Sequence, residues 1–209
     1  PCPDKKKIMF EDFRNDPKSF PLNTPSGKIE IGSKTIENFK LNDCLSYPSW
    51  FEPYEWLGNT KKYSLHLISN QPTNRLHGQL DNGSDSKKNK IKDREPVLIN
   101  SIDAKKRSIK NNDIVMLYND RGKALAGAIL SEDVMQGVVV LSTGAWFDPN
   151  YELNLEVHGN PNVLTNDIGT SSLSQGPTSH TTLIEIKKAK KEEIAEVMIF
   201  NTSNIQEST

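Results

Sequence analysis

The chain has 209 residues, and its 26 lysines and arginines nearly balance 27 aspartates and glutamates, for a formal net charge of -1. Such a balance argues against a surface that binds nucleic acid, which normally carries a basic excess. The mean hydropathy is -0.61, and no apolar run approaches the ~20 residues of a membrane span. Cys2 and Cys44 form no CxxC pair, so neither a disulfide framework nor a structural zinc site is expected.

The first sixty residues differ from the remainder. Residues 1–26 are polar and interrupted by proline, and they lack both an initiator methionine and an apolar signal segment, so we expect a processed chain or a piece of a longer one. Alternation over 27–31 predicts a half-buried strand. Residues 47–58 (YPSWFEPYEWLG) concentrate aromatic rings between prolines. This aromatic block is either a loop packing on a neighbouring surface or a rim facing substrate or partner.

From residue 63 onward, short β-branched segments bounded by turn residues predict a series of strands. The turn at 119–122 (NDRG) predicts a hairpin in which glycine can take a positive φ. A short helix is predicted over 101–109, capped by Asn100 or Ser101. The six predicted strands are 64–69, 96–100, 113–119, 123–130, 137–142 and 181–187. Six strands with short inserted helices indicate a small closed β-barrel.

Four further segments have a less regular pattern. A helical turn is predicted over 74–81, and the lysine-rich stretch 83–94 reads as a mobile surface excursion. Helical spacing returns over 188–201, which predicts a C-terminal helix, and 202–209 reads as a frayed polar tail.

The loop after the first strand, 69–82, is dense in neutral donors and acceptors. Such groups suit a heteroaromatic ligand rich in ring nitrogens, with Arg75 available for a phosphate. Asx turns and a capped helical turn are the alternative explanation of this pattern. The polar side chains of the loop are Ser69, Asn70, Gln71, Asn74, Arg75, His77 and Gln79.

Two later segments are also candidates. Residues 144–149 (GAWFDP) place Trp146 and Phe147 where they either wall a cleft or close one end of the barrel. Residues 157–180 have no regular period, and their amides, hydroxyls and glycines predict a polar ligand cradle, with a flexible linker as the alternative. The apolar residues Val163, Leu164, Ile168 and Leu173 argue against a linker, which has no need of them. The polar members are Asn160, Asn162, Thr165, Asp167, Thr170, Ser171, Ser172 and Gln175.

No motif for catalysis is present. The histidines at 66, 77, 158 and 180 have no metal-ligand spacing, and His66 in a strand is interpreted as structural. Neither a nucleophile–base arrangement nor a phosphate loop of the Gx4GK[ST] type occurs. The residues therefore predict a polar ligand site without a catalytic group or metal ligand of its own.

These same segments carry a family resemblance. The chain resembles the C-terminal portion of bacterial molybdenum enzymes of the dimethyl sulfoxide reductase family, in the subgroup that reduces trimethylamine N-oxide, biotin sulfoxide and dimethyl sulfoxide. The order and spacing of the segments carry the resemblance. They are FPLNTPSGKIEI (20–31), the aromatic block, SLHLISNQPTNRLHGQLDN (64–82), EPVLINSIDA (95–104), NDRGKALAGA (119–128), GAWFDP and VHGNPNVLTNDIGTSSLSQGP (157–177).

The resemblance implies a mainly β fold: a six-stranded double-psi β-barrel of the aspartate decarboxylase-like type, with short inserted helices and an irregular N-terminal extension. In the full-length enzyme this domain covers bis(molybdopterin guanine dinucleotide) with its molybdenum. Its loops hydrogen-bond mainly to the pterins, whose alternating donors and acceptors amides and imidazoles can match. By motif, the cofactor-binding residues would be Ser69, Gln71, Arg75, His77, Gln79, Asn162, Thr165 and Gln175.

The resemblance also implies a division of the chain. Residues 1–60 would be the trailing segment of the preceding catalytic domains, with the aromatic block approaching the substrate funnel. Residues 61–188 would form the barrel, and 189–209 a C-terminal helix and tail. The partners implied are the N-terminal domains of the same enzyme and a small N-oxide or S-oxide substrate. Periplasmic relatives imply a c-type cytochrome as electron donor in anaerobic respiration, whereas cytoplasmic biotin sulfoxide reductases use other reductants. Of the two compartments, the resemblance favours the bacterial periplasm over the cytoplasm.

Several positions depart from the family pattern. The family often has histidine at position 71 and serine at 78, where this chain has Gln71 and Gly78. Tyrosine is usual at Phe147 and alanine at Ser174. The family's serine ligand to molybdenum lies in an N-terminal half that nothing here matches, so we expect the isolated chain to fold but to be inactive.

Two other functions are alternatives to an oxotransferase domain. A non-catalytic double-psi barrel used as a binding module would have no use for the long segment 157–180. A decarboxylase that generates its own pyruvoyl group would need a Gly-Ser cleavage site. The candidates, Gly32-Ser33 and Gly83-Ser84, fall outside or at the edge of the predicted barrel.

Overall fold

The computed structural model describes residues 7–60 and 62–201. Their contacts divide them into two compact units, one of 7–52 with Ser171–Ser174 and one of 53–170 with 175–201. The predicted tail at 202–209 and Cys2 lie outside the described residues. None of the helices within 7–60 and 62–201 is long and apolar enough to cross a membrane.

Short elements make up the described part of the chain. The helices are α1 (Glu11–Asn15), α2 (Lys34–Phe39), α3 (Ser84–Asn89) and α4 (Ser101–Lys106), with 3-10 turns at Pro161–Val163 and Lys191–Glu193. The strands are β1 (Leu65–Ile68), β2 (Pro96–Ile99), β3 (Ile114–Tyr118), β4 (Lys123–Leu130), β5 (Val138–Leu141), β6 (Pro149–Asn150), β7 (Leu155–Glu156) and β8 (Thr182–Lys188).

Within the described residues, six strands close into a barrel in the order β2-β5-β1-β8-β3-β4, and β4 pairs back to β2. The pairs β1–β5 and β2–β4 are parallel, whereas the other four are antiparallel. The double-psi barrel predicted from the sequence is confirmed, and so are its six strands. The short pair β6–β7, which extends the sheet beyond β4, was not predicted.

Alternation along the strands separates two apolar clusters, because successive side chains point to opposite faces of a strand. Val115 and Leu117 of β3 face the barrel interior, where they are fully buried. Their neighbours Ile114 and Met116 face outward and pack with Leu125 and with residues that follow β6. The interior cluster fills the barrel, and the outer cluster supports the segments that lead into and out of β7.

The helix and hairpin predicted near the barrel are confirmed. Asn100 caps α4, since its Oδ1 accepts the N–H of Ile102 at 2.9 Å. The N–H of Asn119 donates to the Gly122 carbonyl at 3.1 Å to close the β3–β4 hairpin. Gly122 does not take a positive φ; instead, a Cβ there would lie 2.5 Å from the carbonyl oxygen of Val163. Glycine is therefore required by a close approach between two loops.

Three local predictions were wrong. Residues 27–31 form no strand, and the side chain of Ile29 is 75% exposed, because no neighbouring strand in the described residues offers a pairing edge. Residues 74–81 are not helical, since His77 and Leu80 have φ of 47° and 60°. Residues 83–94 are not a surface excursion, because α3 and the residues after it bury Ser86 and Arg94.

The C-terminal helix predicted after residue 188 is also wrong for the described part. One 3-10 turn follows β8, and residues 194–201 run without regular structure. Apart from the bond from the Asn201 N–H to the Met198 carbonyl, the backbone of this segment is held by the body of the unit: Asp148 Oδ2 accepts the N–H of Met198 at 2.6 Å and of Ile199 at 3.0 Å. Tertiary partners thus replaced the i→i−4 bonds that helical spacing would have used.

The N-terminal unit has little core of its own. Neither α1 nor α2 buries a residue. Ser172 ties the Ser171–Ser174 segment into this unit, because its N–H and Oγ both lie 2.8 Å from Asp43 Oδ2. The aromatic block does not cover its rings within either unit: Trp50 is 75% exposed and Tyr54 79%.

Candidate functional site

The barrel topology brings several loops to one rim. Because β1 and β5 are parallel, both end at this rim, and the antiparallel strand β8 begins there. The β3–β4 hairpin turns at the same rim, since Tyr118 at the end of β3 pairs with Glu185 of β8. The loop after β1, the residues after β5, the segment before β8 and the hairpin are therefore neighbours.

These loops enclose a cleft of about 570 Å³ within the second unit. That volume falls in the range of small-molecule sites, and the lining is mostly amide, hydroxyl and imidazole. The cleft is lined by Ser69, Gln71, His77, Thr143, Asn162, Thr165, Asn166, Asp167, Pro177, Ser179 and His180. It joins two segments that lie some ninety positions apart in the sequence.

Five of the eight predicted cofactor-binding residues meet in this cleft: Ser69, Gln71, His77, Asn162 and Thr165. Gln79 and Gln175 are exposed elsewhere on the same two segments and do not line it. Arg75 does not line it either.

The loop after β1, with Ser69, Gln71 and His77, forms the first wall of the cleft. Within it, Gln71 binds His77. Gln71 Oε1 accepts the backbone N–H of His77 at 3.2 Å, and Gln71 Nε2 lies 2.8 Å from His77 Nδ1. One amide therefore fixes both the backbone and the ring of His77.

Behind this wall, Arg75 lies in a buried cluster of four charges. Its side chain is 1% exposed and approaches Glu95 at 3.1 Å and Asp81 at 3.5 Å. Lys90 Nζ binds the same two carboxylates at 3.0 and 2.8 Å. Burial opposes ionisation of Asp81, but the bonds from Lys90 and the Trp146 N–H outweigh it and lower the Asp81 pKa. In this structure the Arg75 guanidinium is nearly fully buried against two carboxylates and does not line the cleft, and its contact with a phosphate stays a prediction.

Sequence reasoning missed several residues of the cleft as candidates: Thr143, Asn166, Asp167, Ser179 and His180. Asp167 belonged to the polar segment but was not singled out as a ligand contact. His180 was considered only as a metal ligand, and its spacing from the other histidines did not suit one. In the structure its carbonyl oxygen lies 2.5 Å from His66 Nε2 in β1. Thr143 carried only a positional signal, namely its place directly after a barrel strand.

The segment from Asn162 to His180 supplies the second wall of the cleft, and the β3–β4 hairpin holds its first part in place. Arg121 Nε donates to the Leu164 carbonyl at 2.7 Å, and its Nη1 donates to Asn166 Oδ1 at 2.9 Å. The same guanidinium forms an ion pair with Glu55. Burial opposes ionisation of Glu55, but the bonds from Arg121, the Leu183 N–H and Asn166 outweigh it and lower the Glu55 pKa.

Glu156 shapes the entry to the second wall. Its carboxylate accepts four backbone N–H bonds, from Asp148, His158, Gly159 and Asn160, at 2.7 to 3.3 Å. Burial is the largest influence on this group and raises its pKa to about 7 despite those bonds. A single side chain thus sets the course of the backbone before the turn at Pro161–Val163.

Trp146 packs behind the first wall and does not line the cleft. Its Nε1 donates to the Gly78 carbonyl at 2.6 Å, and its ring lies 5.7 Å from that of Phe200. Phe200 also meets the fully buried His158 edge-on at 4.9 Å. Burial, with Lys90 nearby, lowers the pKa of His158, so it is neutral. Phe147 is 52% exposed.

The family model of the Molydopterin dinucleotide binding domain matches residues 65–183, which is more than half of the chain. The chain belongs to this family. The matched range covers the barrel up to the start of β8 and every residue that lines the cleft, so the Molydopterin dinucleotide binding domain contains the whole candidate site.

Similar proteins extend this result. The domain is 47% identical to trimethylamine-N-oxide reductase of Haemophilus influenzae over 88% of this chain and 23% of that protein. It is 44% identical to biotin sulfoxide reductase of Cereibacter sphaeroides over 90% of this chain and 25% of that protein. The chain thus spans about a quarter of the length of the curated relatives it matches.

One solved structure supports the fold. Acetylene hydratase from Pelobacter acetylenicus superposes with a TM-score of 0.64 at 16% identity, over 83% of this chain and 25% of that one. The similarity covers the architecture alone.

The donor set of the cleft fits a pterin dinucleotide. Pterin rings alternate hydrogen-bond donors and acceptors, and the amides of Gln71, Asn162 and Asn166 can match either kind. The imidazoles of His77 and His180 add two more adaptable groups. Among residues 7–60 and 62–201 no group of three or more His, Cys, Asp or Glu side chains is placed to hold a metal ion.

Proposed function

We propose that this chain is the part of a molybdenum oxotransferase that covers bis(molybdopterin guanine dinucleotide). The observation that carries the proposal is the polar cleft at one rim of the barrel, formed by two distant segments inside the range matched by the family model. When bound, the cofactor supplies the two-electron redox chemistry by which N-oxides or S-oxides are reduced. The residues of this chain bind and orient one pterin.

Individual residues would divide that work. Gln71 and His77 present donors and acceptors from the first wall, and Asn162 does so from the second. Ser69 adds a hydroxyl group at the first wall, and Thr165 adds one at the second. Gln79 and Gln175 lie on the same segments and would take part only where the cofactor extends beyond the cleft. The rest of the enzyme would supply the metal ligand and much of the dinucleotide site.

We further propose the setting of the complete enzyme. Its substrate would be trimethylamine N-oxide, biotin sulfoxide or dimethyl sulfoxide, as the names of the similar proteins support. Electrons would come from a c-type cytochrome in the periplasm, during anaerobic respiration. Residues 1–60 would belong with the preceding domains, 61–188 would form the cofactor-binding barrel, and 189–209 would be its C-terminal extension.

The binding-module alternative fits less well. It predicts no use for the segment 157–180, whereas seven residues of that segment line the cleft: Asn162, Thr165, Asn166, Asp167, Pro177, Ser179 and His180. Leu164 is fully buried beneath them, which also argues against a flexible linker.

Asn162→Ala tests the proposal. Asn162 is exposed in this chain, so the melting temperature of the 209-residue chain should not change. In the complete enzyme, molybdenum and pterin per polypeptide should fall about threefold to tenfold, which is the value of a hydrogen bond. Gln136→Ala, at an exposed glutamine outside the cleft, is the control.

Two results would contradict the proposal. Full cofactor content in both Asn162→Ala and His77→Ala enzyme would remove the cleft from the cofactor site. A large drop in the melting temperature of the Asn162→Ala chain would instead assign that side chain a structural role.

A further inference from the structure

Four charged side chains form a buried cluster behind the first wall of the cleft. Arg75, Asp81, Lys90 and Glu95 each expose 3% or less of their side chains. Two positive and two negative groups balance, so the cluster carries no net charge. Moving four charges out of water is costly, and such a cluster often stabilises a fold no better than apolar residues would.

Arg75 connects this cluster to the cleft. Its Nε donates to the carbonyl oxygen of His77 at 3.2 Å, and its Nη2 donates to the carbonyl of Thr143 at 3.2 Å. His77 and Thr143 both line the cleft, on loops that follow two different strands. One guanidinium therefore spans two loops of the cleft from behind.

The backbone of His77 needs such support. Its φ of 47° lies in the left-handed region, which costs a non-glycine residue free energy unless tertiary contacts hold it. Two hydrogen bonds hold this peptide: its N–H donates to Gln71 Oε1, and its carbonyl accepts from Arg75 Nε. Lys has a single charged nitrogen and cannot reproduce the fork that reaches both carbonyls.

We propose that Arg75 is a positioning residue of the cofactor cleft. Held in the charge cluster by Asp81 and Glu95, its guanidinium sets the peptide of His77 and the peptide of Thr143 at the spacing that receives the pterin. The inference rests on the proposed function, and it replaces the direct phosphate contact that the sequence suggested for this arginine.

Arg75→Lys is the test, because it keeps the charge of the cluster and removes the fork. In the 209-residue chain, we expect the ring proton resonances of His77 to shift in the NMR spectrum. In the complete enzyme, molybdenum and pterin per polypeptide should fall about tenfold, since two bonds from a charged donor are lost.

Arg107→Lys is the matched control. Arg107 also binds a carboxylate through its fork, Glu185 at 2.6 Å, and donates to Ser64 at 2.7 Å. Ser64 precedes β1 whereas the cleft residues Ser69 and Gln71 follow it, and neither Arg107 nor Glu185 lines the cleft. The control should lower the melting temperature while leaving the His77 resonances and the cofactor content unchanged.

Should the Arg75→Lys chain not fold, the double variant Arg75→Gln/Glu95→Gln removes one charge of each sign and keeps the cluster balanced. Unchanged His77 resonances and full cofactor content in a folded Arg75 variant would overturn the inference, as would equal losses in Arg107→Lys. If His77→Ala and Asn162→Ala also retain cofactor, the proposed function fails; if those two lose it and Arg75→Lys does not, only this inference fails.

Discussion

Gly144 lies directly beneath the carbonyl group of His77. A Cβ on Gly144 would overlap the carbonyl oxygen and carbon of His77, and Gly144 itself has a φ of 91°. The loop after β1 and the loop after β5 therefore interlock through backbone atoms at the base of the cleft. The first wall of the cleft is closed by backbone contact as well as by side-chain hydrogen bonds.

Gly144→Ala should destabilise the chain by about 1–3 kcal/mol, because the new methyl group meets a backbone atom and the left-handed φ is strained for alanine. Thermal unfolding followed by circular dichroism measures the change. Gly32→Ala is the control, since a Cβ there would meet nothing closer than the Ser46 carbonyl oxygen at 3.6 Å. Equal melting temperatures for the two variants would contradict the interlocked arrangement.

Lys90→Met should be among the most damaging single changes in the chain. It leaves Asp81 and Glu95 buried with one cation fewer, and breaking a buried ion pair costs about 3–5 kcal/mol. Lys88→Met is the matched control, because Lys88 is 75% exposed and its pair with Asp85 contributes about 0–1 kcal/mol. Chemical denaturation of both variants measures the difference, and similar losses would show that the cluster is solvated.

Glu55→Gln should weaken the fold in a pH-dependent way. The pKa of Glu55 is lowered from its ordinary value of 4.5, so the ionised group stabilises the fold above pH 4.5. That contribution is lost as the pH falls through the folded-state pKa. Melting temperatures measured from pH 7 down to pH 3 should therefore differ between wild type and variant at neutral pH and converge in acid. A constant difference over the whole range would show that ionisation of Glu55 is not what holds Arg121.

Gln71→Ala removes both bonds to His77. The free energy of unfolding should fall by about 0.5–1.5 kcal/mol, as for one exposed side-chain hydrogen-bonding group. In the complete enzyme the loss of cofactor should be larger than for Gln136→Ala, whose side chain lies outside the cleft. Analysis of molybdenum and pterin per polypeptide measures it. Equal cofactor content in the two variants would separate the Gln71–His77 pair from cofactor binding.

Predicting the barrel from sequence was straightforward because its strands are short, β-branched and bounded by turns. Val115 and Leu117 alternate with outward residues, which is the pattern that burial on one face imposes. The helical spacing after residue 188 failed for the converse reason. Its apolar residues, such as Val197, do pack against the outer cluster, but an irregular backbone delivers them there.

The segments that form the candidate site could be predicted from the sequence, but the direction in which each side chain points could not. Polar density in the sequence marks both segments that line the cleft, and Gln71, His77 and Asn162 lie in it; their binding of a cofactor stays a prediction. Arg75 shows where such reasoning ends. An arginine among amides has the same signature whether it faces a ligand or a buried carboxylate. Asp81 lies in the same loop and Glu95 beyond α3, and neither position in the sequence says which way the guanidinium turns.

The sequence by itself determined the strand pattern, the polar segments and, through resemblance, the family. These properties depend on neighbours along the chain, which periodicity and motif spacing record. The tertiary structure alone decided which polar groups face the cleft and which support it. Arg75 turned inward, Glu156 became a cap for four backbone amides, and Gly122 and Gly144 became points of close approach. The cap formed by Glu156 is local, but the roles of Arg75, Gly122 and Gly144 depend on contacts between segments well separated in sequence, and only closure of the barrel sets such distances.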